Sequence, residues 1–183
     1  MNLDQHTTAL MNSAVSDHSG GDNQAFFYID GIPTKGEWFD LDMVTGWHDI
    51  EGKLADSFSC DVDEVLCADV EGLAKHFYTS FCDFFNLTEW LEFKESRYLI
   101  DLSDEVIDAY LSNCGIPCDL SDISDAYYGE FSSDEDFAYD LLESCGDLDA
   151  NSTLANYFDY EKYARDLMMC DFFEVNGHYF RNL

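Results

Sequence analysis

Three groups of residues have types and spacings that could do chemistry. Asp147-x-Asp149-x-Asn151 places oxygen donors as the first half of a calcium-binding loop does, but Ser152 stands where the tight turn needs Gly and Phe158 where a bidentate Glu belongs. Cys114-x-x-x-Cys118 could supply half a zinc site, yet no second Cys/His pair follows at a matching spacing, and two core thiols around a turn is the alternative. His6, His18, His48, His76 and His178 are scattered, without a metal-binding spacing such as HExxH. Carboxylates are too plentiful for any pair to stand out as general acid and base. Their field would repel nucleotides, nucleic acids and most phosphorylated metabolites, and no Gly-rich loop offers to cradle a phosphate. No catalytic residue, metal ligand set or cofactor is assigned, and an enzyme is not expected.

What remains is the charge itself. The chain carries 39 carboxylates against eight Lys and Arg, a formal charge of −31 over 183 residues. Between Arg97 and Lys162 lie 64 residues with no cation and 17 carboxylates. Within that stretch Asp136, Asp140, Glu143 and Asp147 recur at i, i+4, i+7 and i+11 on one predicted helix. Over about 16 Å they give one charge per 4 to 5 Å, near the ~3.4 Å spacing of phosphates along one DNA strand. Like charges at these spacings cost stability at each step; the plainer reading is a solvated polar face.

Such a charge would normally go with disorder, but 46% of the chain is hydrophobic and 16% aromatic, with 15 Phe and 11 Tyr, which is core material. As one globule of radius of gyration roughly 16 Å the surplus charges would repel severely. At the charge density of duplex DNA they would occupy about 50 Å, some 15 base pairs. The expected architecture is therefore α+β, an elongated chain of three small subdomains with β-hairpin-containing ends flanking a helical middle. The seven Cys (60, 67, 82, 114, 118, 145 and 170) lie mostly among apolar neighbours, as buried thiols do, and suit a reducing, cytoplasmic setting. No basic, apolar leader or membrane-spanning run is read, so no membrane is expected.

The elements that must position these residues follow from local patterns. Residues 1–23 mix Ser, Thr, Asn, Asp and Gly and are expected to be a disordered leader. An N-terminal α+β subdomain, 24–75, opens with a strand over 26–30, a turn at Asp30-Gly31 and a return through Gly36–Leu41; Val65–Ala68 could add a third strand. A central helical subdomain, 76–117, is read from apolar spacing that begins near Leu73 and runs through Phe77, Phe81, Phe84, Phe85, Trp90, Leu91, Phe93, Val106, Ile107, Tyr110 and Leu111. Thr88 and Ser103 are read as its N-caps, and Gly115-Ile116-Pro117 as its stop. A C-terminal α+β subdomain, 118–183, holds a helix opened by a Ser132/Glu135 capping box, with Phe137, Ala138, Leu141, Leu142 and Cys145 inward and Gly146 at its end. A further helix starts at N-cap Asp159 with a stripe of Tyr160, Tyr163, Ala164, Leu167 and Met168. Asn176-Gly177 then turns a closing hairpin between Phe172–Val175 and His178–Phe180.

The run Asp125–Ala138, with the run Leu154–Leu167 that looks like an antirestriction motif, resembles the ArdA antirestriction proteins. Gly36–Leu41 and Phe172–Asn182 are also similar to that family, and the likeness is most specific from Asp122 to Asn182. The 23-residue leader is extra, and Asp69-Val70-Glu71-Gly72 matches the family's Asp-Tyr-Glu-Gly segment only loosely. The resemblance implies a homodimeric mimic of duplex DNA, carried by mobile genetic elements. It would occupy the DNA-binding groove of type I restriction-modification enzymes, at their specificity and methyltransferase subunits, without itself binding nucleic acid.

In that reading the acidic face comprises Asp104, Glu105, Asp108, Asp119, Asp122, Asp125, Glu130, Asp134, Glu135, Asp136, Asp140, Glu143 and Asp147. Leu154, Tyr157, Phe158, Tyr160, Tyr163, Ala164 and Leu167 are expected to form a dimer seam, since a mimic's outer face has no use for so many aromatics or for Lys162 and Arg165. An amphipathic helix packed within its own subdomain is the alternative. The rival functions are a mimic aimed at another DNA-binding protein and a merely salt-adapted acidic surface without a specific partner.

Overall fold

The computed structural model describes residues 21–146, 153 and 155–183, in two compact units that part between Leu99 and Ile100. The architecture is mixed α+β, with antiparallel sheets toward both ends and helices between. The expected leader lies, over residues 1–20, outside the described residues. Residues 21–23 belong to the fold: the Asn23 carbonyl accepts from the Leu41 amide and its side-chain oxygen from the Leu73 amide, both at 2.9 Å.

The first unit is built on a three-stranded antiparallel sheet of order β2-β1-β3, with β1 Gln24–Ile29, β2 Ile32–Asp40 and β3 Val65–Glu71. All six residues of β1 are buried, which explains its unbroken apolar run: a central strand covered on both faces does not alternate. Phe27 meets Phe39, Trp47 and Phe85 edge to face, each at 5.7 Å. Helix α1, Trp47–Phe58, buries Ile50 and Leu54. The sequence pattern gives it no ordinary cap: Gly46 at the N-cap makes no side-chain bond, Asp49 in the first turn instead accepts from the Thr45 amide and hydroxyl at 2.7 and 2.8 Å, and Ser59 closes the helix in the left-handed region.

After β3 the chain forms a 3-10 turn, Gly72–Phe77, and a short hairpin of β4 Tyr78–Thr79 and β5 Phe84–Phe85. The segment from Leu73 to Phe85 is therefore not α-helical. Phe81 and Phe84, assigned inward by their helical spacing, are exposed at 98% and 53%. Helix α2, Leu87–Arg97, is capped by Asn86, not Thr88: its oxygen accepts from the Glu89 amide at 3.3 Å and its NH2 donates to Glu89 Oε2 at 2.7 Å. Lys94 donates to the carbonyls of Leu41, Asp42 and Val44 at 2.9–3.1 Å, tying this helix to the chain after β2.

The second unit has α3 Asp104–Cys114, α4 Ser121–Ala126, β6 Tyr127–Glu130, α5 Asp134–Cys145, a 3-10 turn Ala155–Tyr157, α6 Tyr160–Met168, β7 Phe172–Val175 and β8 His178–Arg181. Its antiparallel sheet has the order β6-β8-β7. Because successive strand residues point to opposite faces, Tyr179 stacks on Phe137 of α5 at 4.5 Å while Phe180 meets Tyr110 of α3 at 5.6 Å, so helices cover both faces. Phe137, Leu141, Phe172 and Tyr179 are the core on the α5 side, with Tyr128, Phe131, Leu167 and Met168 packed around them. Asn176 and Gly177 both have positive φ, 54° and 85°, the type I′ geometry their pairing predicts.

Ser103, Gly115, Gly146 and Asp159 occupy the cap positions expected of them. The α5 cap is Ser133, one residue later than expected: its hydroxyl accepts from the Asp136 amide at 3.1 Å, so Asp136 rather than Glu135 stands three residues on. Among the thiols only Cys67 is buried. Cys60 is half-buried, and Cys82, Cys114, Cys118, Cys145 and Cys170 are exposed, which corrects both the general expectation and the inward placement of Cys145. Each of Cys114 and Cys145 is the last residue of its helix, where the apolar stripe runs out into solvent.

Candidate protein-binding surface

The carboxylates expected to form the acidic face all fall in the second unit. Ten are exposed (Asp104, Glu105, Asp119, Asp125, Glu130, Asp134, Glu135, Asp136, Asp140 and Glu143), and Asp108 and Asp122 are half-buried. Asp147 and the Asp147–Asn151 loop lie outside the described residues.

Local physics accounts for part of this set. Asp104 and Glu105 sit in the first turn of α3, Asp122 in that of α4, and Asp134, Glu135 and Asp136 in that of α5, where the exposed amides and the helix dipole favour negative charge. Asp119 accepts from the Ser121 amide at 2.9 Å, and hydrogen bonds from that residue hold its carboxyl below the usual range. Asp134 accepts from the Tyr179 hydroxyl at 2.6 Å, linking the helix start to β8. That phenol is pushed well above its ordinary value by burial first and then by the Asp134 carboxylate.

The dipole argument fails farther along α5. Asp140 is in mid-helix and Glu143 in the last turn, where the carbonyl end repels anions, and no basic residue occupies the last turn of α3 or α5. Asp140 accepts from the Tyr128 hydroxyl at 3.0 Å, so its side chain is oriented while remaining exposed. Glu130 and Glu105, distant in sequence, both raise the Tyr127 phenol after the larger effect of its burial. Sequence reasoning misses the phenols of Tyr128 and Tyr179 that orient these acids, because hydroxyl partners on other elements leave no periodic trace.

Chemically, this arrangement can accept hydrogen bonds from guanidinium and ammonium groups at many points. The second unit from Ile100 onward carries 20 carboxylates against Lys162, Arg165 and Arg181. Several cations of the chain serve the fold: Lys94 binds three carbonyls, Lys53 lies 4.7 Å above the Phe39 ring, and Arg181 lies 5.7 Å from the Phe172 ring centre.

The residues assigned to a dimer seam divide. Phe158 contacts Tyr160 at 5.0 Å and Tyr163 at 5.6 Å, and Tyr139 of α5 joins Tyr160 at 5.6 Å, so a partly exposed aromatic group runs from α5 to α6. Tyr157 is 83% exposed. Ala164 is covered within the unit at 1% exposure, and Leu167 packs on the α5-side core. Leu154 lies outside the described residues.

No helix among the described residues is long and apolar enough to cross a membrane. No curated protein matches the sequence. The family model of the antirestriction protein ArdA matches residues 28–181, from within β1 to the end of β8 and so across both units. Sheet, helices and acidic surface thus lie inside one matched span, and the chain belongs to the ArdA family of antirestriction proteins.

Proposed function

We propose that the protein blocks restriction by presenting its carboxylates where the phosphates of duplex DNA would sit, in the DNA-binding groove of a type I restriction-modification enzyme. The exposure of Asp140 and Glu143 on α5 carries this reading: the two repel each other and Asp136 at three- and four-residue spacing, Glu143 opposes the helix dipole, and the last turn of α5 holds no basic residue. The acids from Asp104 to Asp147 act together, so no single one dominates. The gain on binding comes largely from released counterions, as it does when cationic grooves take up DNA. Specificity and methyltransferase subunits are the partners, with no catalytic step on this chain. Two copies pair through the aromatic group of Tyr157, Phe158, Tyr160 and Tyr163, which would lengthen the charged surface under two-fold symmetry. The three-subdomain division and a cytoplasmic setting belong to the same reading.

The test is to titrate the protein into a type I enzyme with its DNA, following DNA binding, methylation and cleavage at two salt concentrations. Near-stoichiometric displacement of DNA that weakens steeply with salt is expected. DNA binding and both activities persisting at large excess would refute the restriction target.

A further inference from the structure

We infer that the β4–β5 hairpin is an apolar docking knob, with Phe81 as its anchor, that enters a recess beside the cationic groove of a DNA-handling protein. This deepens the DNA-mimic reading and rests on it. Phe81, in the turn of the hairpin, is 98% exposed and Phe84 is 53% exposed, while Phe85 beside them is buried to 1%. Of the hairpin's three phenylalanines folding therefore covers one and leaves two exposed, apolar surface that was not removed from water.

The hairpin is held from both sides. Asp83 has φ 50°, the left-handed region that a side chain disfavours. Its two carboxylate oxygens accept from the hydroxyls of Tyr28, on β1, at 2.9 Å and Tyr78, on β4, at 3.4 Å. The Asp83 carbonyl accepts from the Cys67 amide of β3 at 2.9 Å, and the Tyr78 hydroxyl also reaches the Ala68 carbonyl at 3.2 Å. Phe85 locks the base of the hairpin against Phe27 of the sheet. These ties fix the backbone at the base of the hairpin, and the Cys82 amide closes the turn by donating to the Thr79 carbonyl at 3.3 Å, so the backbone that carries Phe81 is ordered in advance and less entropy is lost there on binding.

Charge selects the occupant. Residues 21–99 carry 17 carboxylates against five cations, and the whole chain stands at −31. An anionic membrane shares that sign and repels it, whereas a cationic protein groove attracts it, and the seam proposed for a second copy lies on other residues, those of α6 and the segment before it. Phe is among the residues enriched in the cores of protein interfaces, and enzymes that extrude a base hold it stacked between aromatic or apolar side chains in a pocket that opens on the DNA-binding groove.

The experiment compares the full-length protein with Phe81→Ser and Phe81→Trp as inhibitors of a type I restriction-modification enzyme on its DNA at three salt concentrations, with circular dichroism and sedimentation as controls. Phe81→Ser should need about 10-fold more protein for half-inhibition at every salt, since an apolar contact shifts affinity without changing its salt slope. Phe81→Trp should retain inhibition, and the helix content of both should be unchanged because the position touches little. Equal inhibition by wild type and Phe81→Ser would overturn the knob alone. A loss of self-association in Phe81→Ser would also overturn it, by making a second copy the occupant. Wild-type protein that fails to inhibit would remove the mimic reading and this inference with it.

Discussion

Replacing Asp140 with Asn and Glu143 with Gln separates a charged surface kept for a partner from one kept for the fold, because the two predict opposite signs for stability. Asp136 and Asp140 are four residues apart and Asp140 and Glu143 three, repulsions worth about 0.2–0.5 kcal/mol each. Glu143 opposes the helix dipole in the last turn of α5 at a further ~0.3–1 kcal/mol. The amide oxygen introduced by Asp140→Asn could still accept from the Tyr128 hydroxyl, so the orienting bond is kept. The sum is a stabilisation of about 1 kcal/mol, which in a unit of this size raises the Tm by roughly 4–8 °C. Inhibition moves the other way. Each phosphate-like charge contributes about 0.9 to the slope of log affinity against log salt, so two removed charges flatten it by about 1.8. If the two proteins converge near ~1 M salt, the double variant is roughly 60-fold weaker at ~0.1 M. Thermal melting and the salt-dependent inhibition titration measure both quantities on one preparation. An unchanged salt slope would refute the placement of α5 in the groove, and a lowered Tm would show that these acids serve the fold.

Three other outcomes follow from the structure. Ser133→Ala should cost about 1 kcal/mol in urea unfolding and Ser132→Ala almost nothing, since only the Ser133 hydroxyl accepts from the Asp136 amide; equal effects would refute the cap assignment. Tyr163→Asp should convert dimer to monomer in sedimentation with helix content retained, and an unchanged dimer would remove the α6 aromatics from the seam. The buried phenols of Tyr28 and Tyr179 and the half-buried phenol of Tyr78 are held neutral to higher pH than free tyrosine. Their folded values exceed the unfolded ones, so the stability they contribute is full below about pH 10 and declines as pH rises beyond it. Site-resolved NMR of the Tyr28, Tyr78 and Tyr179 rings should then show their ionisation only together with unfolding, and ionisation of these three before any loss of structure would refute this.

The parts of the fold that the sequence reveals are those with a strong local cause. Asn176-Gly177 can hardly do anything but turn a hairpin, Asp159 and Ser103 cap at their expected places, and the β1 run FFYI reads as a strand. Misreadings arise where two causes compete at short range. Ser132 and Ser133 are chemically alike, and only the helix phase selects the second. Phe81 and Phe84 fall on a helical period by coincidence, because the left-handed Asp83 between them needs its tyrosine partners on β1 and β4 to be recognised. Helix α1 has Gly46 at its N-cap, and its start is tied instead by Asp49 to Thr45, four residues back and so off the usual capping-box spacing. The acidic face shows in composition and spacing, while the distinction between Asp134, favoured by a helix start, and Glu143, disfavoured by a helix end, needs the exact bounds of α5.

The second unit's core of Phe137, Phe172, Tyr179, Tyr128 and Phe131 is made of ring against ring. Dissolved ions do not screen such contacts, whereas they do weaken repulsion among exposed carboxylates. Added salt therefore acts on the scaffold and on its surface as separable variables: the scaffold holds or tightens while the attraction proposed between the surface and a cationic groove would fade. The molecule is in effect its own internal reference. In the proposed reading, a loss of inhibition at high ionic strength with an unchanged melting curve reports weakened attraction at the contact.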